Sequence, residues 1–292
     1  MFSGVATALI TPFNFKGVDF EAYGRLIEDQ IANGIDALVV LGTTGEASTM
    51  SHDEKVATIK FAVEKINKRV PVIVGTGSNC TATAIENSIE AENLGADMLL
   101  VVTPYYNKCT QEGLIAHYSQ IASAVNTPII AYNVPGRTSV NILPKTIKAL
   151  ANIPNMVAVK EASGNISQIA SVVAEVRNSD FKVYSGDDGI ILPVMSLGAD
   201  GLISVASNII PKQMVDMVKA AKTGDLKTAQ ELFFKYRPLM EIMFCETNPI
   251  PVKFACSKLG YGENLPRLPL TPISETGKVK VLDEMYNVGL IK

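Results

Sequence analysis

Histidine is nearly absent from this chain of 292 residues, which holds only His52 and His117. Two imidazoles cannot build a multi-histidine metal centre, and they leave a serine or cysteine nucleophile few bases to choose from. Cysteine is scarce too. Cys80, Cys109, Cys245 and Cys256 form no CxxC pair and have no histidine at ligand spacing. They read as reduced thiols, not as a disulfide framework or a zinc site. No stretch reaches the roughly 18 uninterrupted apolar residues of a membrane span, and the opening MFSGVATALITPF lacks the basic region and apolar core of a signal peptide. The expectation is a cytoplasmic protein. Excess charge is also missing: the formal net charge is -3 with interspersed signs, which offers no footprint for nucleic acid or an anionic membrane. With 47% hydrophobic and 19% charged residues and no low-complexity tract, the chain can bury a large core without disulfides or a structural metal. Small-molecule chemistry becomes the default.

What the chain does contain is one unit repeated eight times. Short apolar runs rich in β-branched residues recur at 4–10, 37–43, 71–77, 98–104, 128–134, 156–162, 182–188 and 201–207. Helical patterns such as 53–67, 81–94, 111–125 and 165–177 lie between them, several opened by Ser, Thr, Asp or Asn. Buried parallel strands joined by crossover helices have this signature, and eight such units predict an α/β fold of the closed (β/α)8 TIM-barrel type. A dinucleotide-binding sheet would want GxGxxG after an early strand, and GTTGEA (42–47) and GTGSNC (75–80) lack the third glycine. Residues 1–223 are assigned to the barrel. A C-terminal helical extension is assigned to 224–292, with helical patterns over 224–245, interrupted by Pro238, and over 276–289.

Active sites of such barrels lie at the C-terminal ends of the strands. Here those ends carry Thr43 and Thr44, Tyr105 and Tyr106, Tyr132 and Asn133, Lys160 and Glu161, and the run Ser185, Gly186, Asp187, Asp188. Lys160 interrupts the apolar strand MVAVKEA. Burial would lower its pKa and make it a nucleophilic amine able to form an imine with a ketone; the competing reading is an ion pair with Glu161. Lys253, in PIPVKFAC, is a rival assigned to packing. Tyr132 could pass protons at an imine or simply fill the core, and the threonines could hold a carboxylate or extend a proton relay, or merely cap a turn. Arg137 has the fork to grip a carboxylate, unless it is a solvated loop arginine. Asp187 and Asp188 are read as turn and helix N-terminal residues because no further carboxylate stands at metal-ligand spacing.

Taken together, GTTGEAS (42–48), TPYYNK (103–108), YNVPGRT (132–138), VKEASGN (159–165), SGDD (185–188), NPIPVK (248–253) and RLPLTP (267–272) closely resemble the dihydrodipicolinate synthase family, also called 4-hydroxy-tetrahydrodipicolinate synthases. The resemblance spans nearly the whole chain. It implies condensation of pyruvate with aspartate 4-semialdehyde at the head of the diaminopimelate route to lysine, with no metal or organic cofactor. It assigns the imine to Lys160, a proton relay to Tyr132, Thr43 and Tyr106, and the pyruvate carboxylate to Thr44. Tyr106 would reach across a dimer interface, and the carbonyls of Gly186 and Ile203 would line the pocket. Arg137 would bind the semialdehyde carboxylate, an arginine that N-acetylneuraminate lyases on the same scaffold lack. A homotetramer built as a dimer of dimers is the family's usual assembly.

Two other readings stay open: an aldolase for a sugar acid, of the 2-keto-3-deoxygluconate type, and a catalytically silent barrel acting as a sensor. Feedback inhibition by lysine, common in the family, is expected to be weak or absent. His52, Asn79 and Tyr105 fit the inhibited pattern, but Lys55 replaces a histidine and Thr83 a glutamate.

Overall fold

The computed structural model describes residues 1–292. Eight strands form at the expected places: β1 (Gly4–Ala8), β2 (Ala37–Val40), β3 (Val72–Gly75), β4 (Met98–Val102), β5 (Ile129–Asn133), β6 (Met156–Glu161), β7 (Lys182–Ser185) and β8 (Gly201–Ser204). All neighbours are parallel, and β1 pairs with both β2 and β8, so the sheet closes into a barrel. The strands stop short of the apolar runs that announced them. The run 182–188, for example, leaves the sheet after Ser185, because the Asp187 carboxylate turns back to accept the Gly189 N–H at 2.9 Å. The polar residues at the strand ends therefore sit in turns over the barrel mouth.

Alternation along each strand divides the core in two. Ile130, Tyr132 and Ala158 point into the barrel, beside Ala6, Val39, Leu100, Tyr184 and Ile203. Ile129, Ala131 and Val159 face outward and join a much larger cluster beneath the helices. The N-terminal end of the barrel is stoppered. Phe2 stacks on Tyr184 with ring centroids 4.3 Å apart, and the Tyr184 hydroxyl donates to the Phe2 carbonyl at 2.7 Å. The interior opens at the other end.

The wrapping helices are α1 (Phe20–Ala32), α2 (His52–Ile66), α3 (Thr81–Asn93), α4 (Gln111–Ala124), the short α5 (Pro135–Thr138), α6 (Pro144–Leu150), α7 (Ile166–Val176), α8 (Ile191–Ser196) and α9 (Pro211–Thr223). Ser51, Thr110 and Asn165 cap α2, α4 and α7 through their side chains, and Ser51 forms a full capping box with Glu54. After Gly224, in the left-handed region at φ +83°, come α10 (Leu226–Ile242), α11 (Ile250–Lys258) and α12 (Glu275–Asn287). Pro238 does not interrupt α10 as the sequence suggested. A proline at that position deprives one carbonyl of its N–H partner, that of Phe234. Phe234 is 64% exposed, so water can replace the lost donor, while Phe233, Tyr236, Leu239 and Met240 hold the opposite face against the barrel. No helix is long and apolar enough to cross a membrane.

Closure depends on glycine at the seam between first and last strands, where Gly4 pairs with Gly201. A Cβ on Gly201 would lie 2.0 Å from the Gly4 carbonyl oxygen, a backbone atom that cannot move aside. Gly201→Ala is expected to destabilise the fold by about 2–3 kcal/mol, read as a lower urea midpoint. An unchanged midpoint would show that the seam yields.

Candidate active site

A cavity of about 350 Å³ opens at the C-terminal mouth, and Thr43, Thr44, Tyr132, Arg137, Lys160 and Gly186 all line it. Lys160 and Tyr132 come from adjacent strands in direct register, and the Lys160 ammonium lies 4.4 Å from the centre of the Tyr132 ring. Strand alternation separates Lys160 from Glu161. The Glu161 carboxylate faces outward, accepting from Asn133 Nδ2 at 2.8 Å and from the Ser163 N–H at 2.8 Å. The alternative ion pair is thus not made, and Lys160 stays without a carboxylate hydrogen bond. Burial pushes its pKa down to about 8; the Asp188 carboxylate pulls it up, and the Arg137 guanidinium pushes it further down. Gly186 supplies room, since a Cβ there would lie 2.9 Å from Lys160 Cε and 2.7 Å from Ala162 Cβ.

Lys253 is also buried and also pushed down to about 8, chiefly by burial, yet it cannot serve as the nucleophile. Its ammonium is paired with Glu46, donates to the Leu265 carbonyl at 3.1 Å and sits over the Phe13 ring. It is outside the cavity lining. The Tyr132 phenol is pushed up by burial, against the opposing pull of Arg137 and of the neighbouring Thr43 hydroxyl. A phenol that holds its proton while close to a basic amine is suited to pass that proton on.

Asn248 was missed at the level of sequence, although it opens the quoted NPIPVK run. It lines the cavity, its Nδ2 donates to Thr44 Oγ1 at 3.1 Å, and its carbonyl accepts from Arg137 Nη2 at 3.1 Å. Only the folded extension brings it there. Asp187 caps a turn as read from the sequence, and Asp188 Oδ2 accepts the N–H groups of Val205 and Ala206 at 3.0 and 2.9 Å. The second Asp188 oxygen is buried without a partner, and burial pushes that carboxyl up. The pull of the Asp188 carboxylate on the Lys160 ammonium has no signature in the sequence.

The model of the dihydrodipicolinate synthetase family matches residues 1–287. The chain belongs to that family. A 4-hydroxy-tetrahydrodipicolinate synthase of Alkaliphilus oremlandii is 50% identical over 291 residues, covering 100% of both chains. The dihydrodipicolinate synthase of Thermotoga maritima superposes with a TM-score of 0.98 at 45% identity, covering 100% of each chain. The chloride-inhibited dihydrodipicolinate synthase of Acinetobacter baumannii, complexed with pyruvate, does so with a TM-score of 0.97 at 44% identity and the same coverage.

Two of the residues singled out by the family resemblance do not line this cavity. Ile203 is fully buried in the barrel interior, and Tyr106 stands outside at 89% exposure with a left-handed φ of +74°. A second cavity of about 500 Å³ shares the walls Thr43, Tyr132 and Arg137 and continues to Lys55, Thr83 and Tyr105. His52 approaches Glu90 at 3.3 Å, and the Asn79 carbonyl accepts from Asn107 at 2.8 Å.

An amine with a pKa of about 8 is roughly one-tenth neutral at pH 7, against a few parts in ten thousand for an ordinary lysine. Fixation of pyruvate on Lys160 by borohydride should therefore accelerate as pH rises and level off above pH about 8. A rate still climbing at pH 10 would mean that burial does not lower the amine.

Proposed function

We propose that the protein is a class I, Schiff-base-forming synthase that condenses pyruvate with aspartate 4-semialdehyde, the 4-hydroxy-tetrahydrodipicolinate synthase reaction of the diaminopimelate route to lysine. The observation that carries this reading is a buried lysine with a lowered pKa and no carboxylate partner, set beside a phenol and an arginine in one cavity. Full-length relatives bearing that name agree with it.

The neutral Lys160 amine attacks the ketone carbon of pyruvate, and loss of water leaves an iminium. The protonated nitrogen draws electrons from the C3–H bond, so a proton leaves and an enamine forms. Tyr132, Thr43 and Tyr106 relay protons for these steps, and Thr44 holds the pyruvate carboxylate. Gly186 borders the pocket, while Ile203 lies in the barrel interior outside the cavity lining. The enamine carbon attacks the aldehyde carbon, forming the new C–C bond. The amine of the semialdehyde then displaces Lys160 at the imine carbon, closing the ring and freeing the enzyme. One nitrogen of Arg137 donates to Asn248, which leaves the rest of its fork for the semialdehyde carboxylate.

Tyr106 projects from its own subunit, so its part in the relay requires a neighbour. We infer a homo-oligomer in the cytoplasm, a tetramer built as a dimer of dimers, in which Tyr106 completes the partner's site.

Pyruvate-dependent consumption of aspartate 4-semialdehyde, coupled to a reductase that acts on the cyclic product, tests the reaction. Turnover with sugar aldehydes instead would make the protein a sugar-acid aldolase, and no turnover with either would leave a silent barrel. Arg137→Ala should lower kcat/KM for the semialdehyde about ten- to a hundredfold and borohydride fixation of pyruvate far less. Equal losses in both would remove Arg137 from its assigned role.

Lysine should inhibit weakly or not at all. Lys55 presents a cation to an incoming ammonium in the second cavity, and Thr83 offers no carboxylate to hold it. Inhibition at sub-millimolar lysine would overturn that expectation.

A further inference from the structure

The turn after β2 carries both threonines of the site and ends on Glu46, which is 2% exposed and in the left-handed region at φ +54°. A non-glycine residue held there needs compensation. The Glu46 carboxylate finds it entirely in the C-terminal extension: one oxygen pairs with Lys253 of α11, and the other accepts the Arg267 N–H at 2.9 Å. Lys253 is itself held by the Leu265 carbonyl, and the guanidinium of Arg267 pairs with Glu54 at 2.7 Å. Both cations lie within 4.1 Å of the Phe13 ring centre.

The backbone of the turn is a single hydrogen-bonded unit. The Glu46 N–H donates to the Thr43 carbonyl at 3.1 Å, the Gly45 N–H to the Gly42 carbonyl at 3.0 Å, and Thr11 Oγ1 to the Gly45 carbonyl at 2.7 Å. A displacement of Glu46 is therefore transmitted to Thr43. The same stretch of the extension grips the turn a second time, through Asn248 on Thr44.

We propose that Lys253 is a positioning residue for the reaction: through Glu46 it fixes the 42–46 turn, and with it the hydroxyls of Thr43 and Thr44, against Tyr132 and Asn248. A buried ion pair is a poor device for stability alone, because desolvation of both charges offsets most of their attraction, but its direction is exact enough to hold a loop. The role rests on the reading above that Thr43 relays protons and Thr44 holds the pyruvate carboxylate. It assigns the extension a share in the chemistry of the barrel.

The test is the double variant Glu46→Gln/Lys253→Met, which removes both charges together, keeps volume and leaves an acceptor for the Arg267 N–H. Three rates are compared with wild type at matched stability: borohydride fixation of pyruvate on Lys160, exchange of the pyruvate methyl protons with deuterated water, and condensation. At saturating pyruvate, which offsets a weakened hold of Thr44 on the carboxylate, fixation should fall much less than exchange and condensation, which drop about ten- to a hundredfold, the scale expected when catalytic groups are misplaced by about an ångström. Wild-type exchange and condensation in the folded double variant, or an equal loss of all three rates, would overturn the proposal. Should the double variant not fold, Glu46→Asp, which keeps the charge and shortens its reach, must show the same split, and wild-type rates there would overturn it equally. Exchange needs pyruvate alone. A wild-type protein that exchanges but never consumes the semialdehyde would thus refute the synthase reading without touching this one.

Discussion

A closed barrel of eight parallel strands leaves each strand residue only two destinations, the interior or the layer beneath the helices, and neighbours along the chain must take opposite ones. Lys160 and Glu161 are adjacent and oppositely charged, and on a free strand end they could pair. Closure sends the lysine inward beside Tyr132 and the glutamate outward to Asn133. The amine is left in a low-dielectric interior with no carboxylate bonded to it, and its lowered pKa follows from that placement. The Phe2–Tyr184 stopper then makes the C-terminal mouth the route by which a ketone reaches it.

The two buried lysines show how little a lowered pKa says by itself. Lys160 and Lys253 are both pushed down to about 8 by the same physical cause. Geometry separates them: one faces an open cavity with no carboxylate bonded to its nitrogen, and the other is bonded to Glu46 and to the Leu265 carbonyl. The first arrangement suits a nucleophile, the second a fastening. Desolvation supplies reactivity only where the amine can also meet a substrate.

The C-terminal extension changes the meaning of the barrel mouth. Asn248, Lys253 and Arg267 lie far along the chain from the strands that carry Thr44, Glu46 and Arg137, yet each bonds to at least one of these. Thr44 and Arg137 meet on Asn248, so the two side chains assigned to substrate carboxylates share one support. Apolar side chains of α10 and α11, including Met240 and Val252, bury into the cluster beneath the barrel's own helices. The extension is thereby held firmly enough to act as a support.

Much of this was legible along the chain, because strand and helix periods are local properties. Eight apolar runs, the caps on α2, α4 and α7, and the polar strand ends all follow from neighbours a few residues apart. The fold class and Lys160 as a candidate amine needed nothing more, and the motif resemblance pointed to the family. Pro238 misled because a local rule counted the lost hydrogen bond, whereas packing around Phe233 and Tyr236 outweighs it. The failure of Lys160 to pair with Glu161, the ties of Lys253 to Glu46 and Leu265, the bridging position of Asn248 and the charge of Asp188 behind the amine were decided only by the tertiary structure. Each depends on burial or on partners from distant parts of the chain, and neither solvent exclusion nor long-range contact leaves a periodic mark in sequence.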